Sequence, residues 1–118
     1  MPDEHRIVVA PASRRVRVIW RGHIIADSPG ALSLKEHVYR PVFYIPREDV
    51  AMMFLQRTAS HTTCPYKGEA SYYSLAADGE VEQDAVWSYE TPKPLVAPIK
   101  DHLAFYPDRV DQIEELPA

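Results

Sequence analysis

The sequence is short of the residues that staple a chain, anchor it in a bilayer or draw it to nucleic acid. It has one cysteine in 118 residues, and one thiol cannot form an internal disulfide, which excludes the cross-linked frameworks of small secreted domains. No run of about 18 to 20 apolar residues and no apolar signal-peptide core occurs, so neither a membrane-spanning helix nor secretion is expected, and the cytoplasm is the expected location. Positive charge is not in excess. Thirteen Lys and Arg stand against 17 Asp and Glu, a formal net charge of -4, so the summed field offers no long-range attraction to phosphate backbones and nucleic acid is not the expected partner. Glycine is scarce as well, at four residues.

What is present describes a folded, ordinary globular chain: 46% hydrophobic and 25% charged residues, with 11 prolines and 7 tyrosines. Proline interrupts helices and aromatic rings suit pleated surfaces, so short extended segments joined by stiff turns are expected rather than a helical bundle. The expected fold is mainly β, an α+β domain with one short helix and a compact antiparallel sheet. A single domain is expected over 15–118, preceded by a partly ordered arm over 1–14 that carries Pro2 and Pro11 and lacks strong periodicity.

Arg15 to Trp20 alternates polar and apolar residues, Arg21-Gly22 supplies a turn, and His23 to Ala26 returns, which is the pattern of a β-hairpin. Leu32 and Leu34 repeat at spacing two before the aromatic strand Val42 to Ile45. Pro46-Arg47-Glu48-Asp49 has the look of a helix start, with two acids facing the positive end of the peptide dipoles, and Val50, Met53, Phe54 and Arg57 continue at helical spacing. Glu69 to Leu75 reads as a strand entered from a loop at His61 to Gly68, and Asp78-Gly79 turns it into Val81 to Glu90. Thr91 to Pro98 is too rich in proline for a central strand and is expected to cross the surface as a loop. A helical turn at Ile99 to His102 and a final strand at Leu103 to Tyr106 complete the expected elements.

Chemistry concentrates in His61-Thr62-Thr63-Cys64-Pro65-Tyr66-Lys67-Gly68. A nearby cation raises the thiolate population of a cysteine, so Cys64 with His61 and Lys67 at spacings of three is a candidate reactive site; the competing reading is a packed thiol in a stiff turn. Two donors are too few for zinc, and no metal is expected. Glu80, Glu82 and Asp84 alternate, which on a strand sends three carboxylates to one face, a pattern better explained by a solvated edge than by magnesium. Tyr66, Tyr72, Tyr73, Trp87 and Tyr89 form the densest aromatic set, and since neighbouring residues leave a strand on opposite faces, Tyr72 and Tyr73 do not share a pocket wall.

Gly22 to Ser28, Tyr44 to Val50, Thr63 to Gly68 with Ala70 and Tyr72-Tyr73, Ala85 to Tyr89, and Ala104 to Tyr106, taken in this order, resemble a small, bacterial-type family, domain of unknown function 427, from about Val16 onward. The resemblance implies a β-rich fold of the β-tent kind and no established reaction. The family also carries a nucleotidyltransferase label, although the chain lacks the Gly-Ser phosphate turn of the usual polymerase-like enzymes.

The reading that follows is a small-molecule-binding domain with Cys64, Tyr66, Lys67, Tyr72, Trp87 and Tyr89 around one pocket, and with no cofactor. Two alternatives stand beside it. One is a thiol-dependent or nucleotidyl-transfer enzyme; in the thiol version Cys64 is the nucleophile, His61 the base, Lys67 the electrostatic stabiliser and Tyr66 or Tyr89 the proton donor. The other is a homo-oligomeric interaction module, such as a homodimer joined by an edge strand.

Overall fold

Three antiparallel sheets account for the architecture of the computed structural model, which describes residues 6–117. Strands β1 (Ile7–Pro11), β4 (Leu32–Glu36) and β5 (Val42–Tyr44) form the first, in the order β1-β4-β5. The second places β2 (Arg15–Trp20) between β10 (Gln112–Leu116) and β3 (His23–Ser28). The third is the longest, with β6 (Leu55–Cys64), β7 (Gly68–Ala77), β8 (Glu80–Tyr89) and β9 (Ala104–Phe105) in sequence order. The mainly β, antiparallel fold expected from the composition is the fold observed.

Local chemistry sets the hairpins. Arg21 (φ 51°) and Gly22 (φ 79°) both occupy the left-handed region between β2 and β3, the backbone that a two-residue turn of matching twist requires. The arginines of β2 lie on its wet face and are paired across the ladders, Arg15 with Asp27 on β3 and Arg17 with Glu114 on β10. On the other face Val16, Val18 and Trp20 are buried.

The third sheet is kinked by facing irregularities. β6 slips register between Arg57 and His61, and β8 slips against β7 where Asp84 takes a positive φ of 52°. Thr58 Oγ1 and Ser60 Oγ each donate to the Asp84 carboxylate at 2.7 Å, while Asp84 N donates to Ser74 Oγ. The bulges therefore satisfy one another's polar groups. Glu80, Glu82 and Asp84 do not act as one row, for Glu82 pairs instead with Arg109.

Each face of this sheet has its own core. Tyr73, Leu75 and Val86 pack with Val16, Val18, Trp20 and Ile25 of the second sheet. Tyr72, Tyr89 and Ala104 pack with Leu34 and Tyr44 of the first and with Val96 and Ile99.

Several elements depart from expectation. In place of the helix expected from Pro46 there are two single 3-10 turns, Arg47–Asp49 and Met52–Phe54, after which β6 begins. The backbone between them is taken by β3, where Ala51 N donates to Ile25 O and Val50 bridges Ala26. Asp49 accordingly serves as an acceptor for the buried Ser28 hydroxyl at 2.6 Å rather than as a dipole partner. His61 to Cys64 lie on strand β6, not in a loop. The proline-rich crossing folds into 3-10 turns over Pro94–Ile99 that bury Val96 and Ile99, and a turn closed by His102 N donating to Ile99 O at 3.0 Å follows where one was expected. The strand expected at Leu103 to Tyr106 is the two-residue β9, with Leu103 bridging Ile45. Of the arm expected over 1–14, residues 1–5 lie outside the described residues and Ile7–Pro11 pairs with β4.

Candidate functional site

The link between β6 and β7 is three residues, Pro65, Tyr66 and Lys67, closed by the pairing of Cys64 with Gly68. Gly68 sits at φ +113°, and a Cβ built there would lie 3.3 Å from Thr91 O and 3.6 Å from Lys93 N. Segment 91–93 thus rests directly on the turn, and Lys93 N donates to Lys67 O at 3.0 Å. Held in this way, Lys67 points inward. It is 9% exposed, and its Nζ donates to Glu36 Oε1 of β4 at 2.7 Å, joining the third sheet to the first by an ion pair shielded from solvent.

Lys67 forms one wall of a cavity of about 210 Å3 between the two sheets. Tyr72 and Trp87 are cross-strand partners on β7 and β8, and Tyr89 leaves β8 on the same face, since two residues along a strand restore the direction. All three line the cavity, with Tyr106 beyond β9. Leu34, Val42 and Tyr44 complete the opposite wall.

The rings are held in fixed relation. Trp87 Nε1 donates to Tyr44 Oη at 3.2 Å with the two rings edge to face, and Trp87 lies 4.4 Å from Tyr106 between centroids. The Tyr72 hydroxyl shares hydrogen bonds with Thr62 Oγ1 at 2.9 Å and with the Tyr106 hydroxyl at 3.3 Å.

Burial keeps the phenols of Tyr44, Tyr89 and Tyr106 protonated. Burial pushes Tyr44 up to about 12, although the Trp87 hydrogen bond works against the shift. Tyr89 is raised by burial first and then by its electrostatic coupling to the groups around it, Tyr44 foremost. Tyr106 is raised by burial and by its hydrogen bond with Tyr72. A phenol that resists ionisation is a neutral donor at pH 7. Tyr89 makes no side-chain hydrogen bond among the described residues, so its hydroxyl remains available to a guest.

Four residues singled out in the sequence, Lys67, Tyr72, Trp87 and Tyr89, meet at this cavity. Cys64 shares the face of Thr62 and Tyr72 and is half-buried, but it does not line the cavity. His61 is cross-strand partner to Ser71 on the opposite face and is exposed, so the sheet separates it from the thiol. Tyr66 is 42% exposed and lies outside the cavity lining. Sequence reasoning missed Glu36, Tyr44 and Tyr106. Tyr44 and Tyr106 stand in segments that carried the family resemblance, whereas nothing in the sequence marks Glu36 as the partner of Lys67.

The far face of the same strands carries a second polar group. Arg47 and Arg57 both donate to the Tyr73 hydroxyl, at 3.3 and 3.1 Å, with their guanidinium groups over its ring. Arg57 also pairs with Glu90. Burial alone would raise the Glu90 carboxyl, but hydrogen bonding and charge from Arg57 outweigh it and hold the carboxyl below its usual range. Among the described residues no three His, Cys, Asp or Glu side chains gather as a metal site, and no helix is long and apolar enough to cross a membrane.

No curated protein matches the chain. The order of segments noted in the sequence is matched from β1 through β10, over residues 8–116, by a family that also carries a nucleotidyltransferase-like label. The chain belongs to this family, a domain of unknown function (DUF427).

Proposed function

We propose that the chain binds a small, planar, uncharged molecule rich in hydrogen-bond acceptors in the cavity between Lys67 and the tyrosines. The observation that carries this reading is that Lys67, Tyr72, Trp87 and Tyr89, drawn from a turn and two strands, line one cavity. Its volume of about 210 Å3 is on the order of seven water volumes at roughly 30 Å3 each, which suits a single substituted ring better than a drug-sized ligand. Lys67 and Glu36 neutralise each other, so a charged guest would lose its hydration without gaining a counter-charge. A neutral heterocycle instead stacks on Trp87, accepts from Tyr89, and meets one donor and one acceptor side by side at the ion pair.

The test is a thermal-shift screen of neutral heterocycles and of charged analogues, followed by titration of each hit. Neutral rings are expected to raise the melting temperature in a saturable way. Tyr89→Phe is expected to weaken the hit up to about tenfold, the worth of one hydrogen bond of roughly 0.5 to 1.5 kcal/mol. The proposal fails if no neutral ring shifts the transition, or if a hit binds Tyr89→Phe and Trp87→Leu as tightly as the unmodified chain.

A further inference from the structure

A second hollow meets the cavity described above at Val42 and Trp87, which line both. It measures about 400 Å3 and is walled by apolar side chains from both sides, among them Val18 of β2, Ile113 of β10, Phe43 of β5 and Phe105 of β9. A third cleft of about 370 Å3 adjoins it, sharing Arg40, Pro41 and Phe43 and adding Arg14, Ser13 and Ser33. An apolar trough therefore opens onto a polar mouth.

Charge is distributed unevenly along it. Arg14 and Arg40 make no ion pair or side-chain hydrogen bond among the described residues, and Glu115 is the one acid lining the mouth with them. Asp111 lines the trough and accepts from Arg21 N at 2.9 Å. Pairing of Leu116 with Arg15 and of Gln112 with Ile19 sets Glu115 and Arg14 at one end of the β2–β10 ladder and Asp111 at the other. Two arginines and one carboxylate thus line the mouth, and Asp111 makes the far end less favourable to an anion.

We propose that this trough binds a medium-chain monocarboxylic acid taken free from solution, with its hydrocarbon chain between the sheets and its carboxylate at Arg14 and Arg40. Unpaired guanidinium groups are suited to a planar carboxylate. Each methylene withdrawn from water into the apolar walls adds to binding. The trough offers on the order of thirteen water volumes at roughly 30 Å3 each, room for an extended chain and not for a bilayer-anchored lipid with two.

Trp87 lines the trough and Trp20 does not, which provides a reporter. Dodecanoate, kept below its aggregation concentration, is expected to change tryptophan emission saturably with one molecule bound per chain, and dodecyltrimethylammonium to bind at least tenfold more weakly. The exposed pair Arg14→Glu/Arg40→Glu is expected to weaken dodecanoate at least tenfold and to strengthen the ammonium, with Arg40→Gln intermediate. Tyr89→Phe, which touches only the smaller cavity, is expected to leave dodecanoate binding unchanged. The proposal is overturned if dodecanoate gives no saturable response, if charge reversal changes its affinity less than twofold in a folded variant, if the ammonium binds as tightly, or if binding occurs to phosphatidylcholine vesicles but not to the free acid.

Discussion

Gly68 carries the turn that aims Lys67, and replacing it by alanine separates two costs that the structure distinguishes. The first is conformational. At φ +113° the residue lies outside the region open to side chains, a strain of order 1 to 3 kcal/mol. The second is contact, for the new methyl would sit 3.3 Å from Thr91 O, 3.6 Å from Lys93 N and 3.7 Å from Pro92 Cα, all of them backbone atoms. Gly22 is the natural control. It has φ +79° and nothing within 4 Å of its built Cβ, so Gly22→Ala meets only the left-handed penalty of roughly 1 to 2 kcal/mol, offset by about 0.4 to 1 kcal/mol from a less flexible unfolded chain. Gly68→Ala is thus expected to lose about 2 to 3 kcal/mol and Gly22→Ala about 1 kcal/mol or less. Urea unfolding resolves the difference, because slopes of about 1 to 3 kcal/mol/M convert it into a midpoint shift of around 1 M. Equal losses in the two variants would refute the idea that segment 91–93 braces the turn.

Three further outcomes are expected. Because the folded Glu90 carboxyl lies below its ordinary value of 4.5, its contribution to stability is present above that pH and is lost as pH falls through the folded value; Arg57→Gln removes the main partner, so the stability gap between parent and variant should narrow from pH 7 to pH 3, and a constant gap would contradict the pairing. Tyr44, raised to about 12 by burial, should ionise about two units above an ordinary phenol near 10, in an absorbance titration step that Tyr44→Phe deletes; since the folded value is the higher one, the associated stability holds below pH 10 and falls as pH rises toward 12. Cys64 is half-buried, so iodoacetamide should label it without denaturant, and His61→Ala should leave the pH profile of labelling unchanged; a profile that moves with His61 would place the imidazole on the thiol's side of the sheet.

Legibility in the sequence followed the range of the interactions involved. The hairpins at Arg21-Gly22 and Asp78-Gly79 were readable because turn chemistry is local, and both turns use left-handed backbone, which Gly22, Asp78 and Gly79 favour and into which the turn carries Arg21. The shared face of Tyr72, Trp87 and Tyr89 follows from strand parity, once the turn fixes the register. The stretch after Pro46 misled for a non-local reason: its apolar spacing suits a helix, but the open edge of β3 claims Val50 and Ala51 and leaves only single turns. β10, which closes the second sheet, carries acids at Glu114 and Glu115 and alternates too weakly to announce itself. Glu36 and Tyr44 reach the cavity from a different sheet, and no spacing along the chain encodes that approach.

Alternation by single residues along β6 and β7 decides what this site can do. Tyr72 lines the cavity and Cys64 shares its face of the sheet without lining it, whereas His61 and Tyr73 face the other way, toward the side where Arg47, Arg57 and Glu90 gather. A proton-transfer reaction at the thiol needs a base within hydrogen-bond reach. The groups near it include the Tyr44 and Tyr89 phenols, held in their neutral form, and one lysine already committed to Glu36. Withdrawing Glu36 to act as that base would strand the Lys67 ammonium in a largely water-free position, and an uncompensated buried charge costs several kcal/mol. Neutral donors around a compensated ion pair instead favour holding a molecule unchanged. The binding proposed above follows from this arrangement, and a substitution that shifted the β6–β7 register by one residue is expected to exchange the two sets of side chains and abolish it.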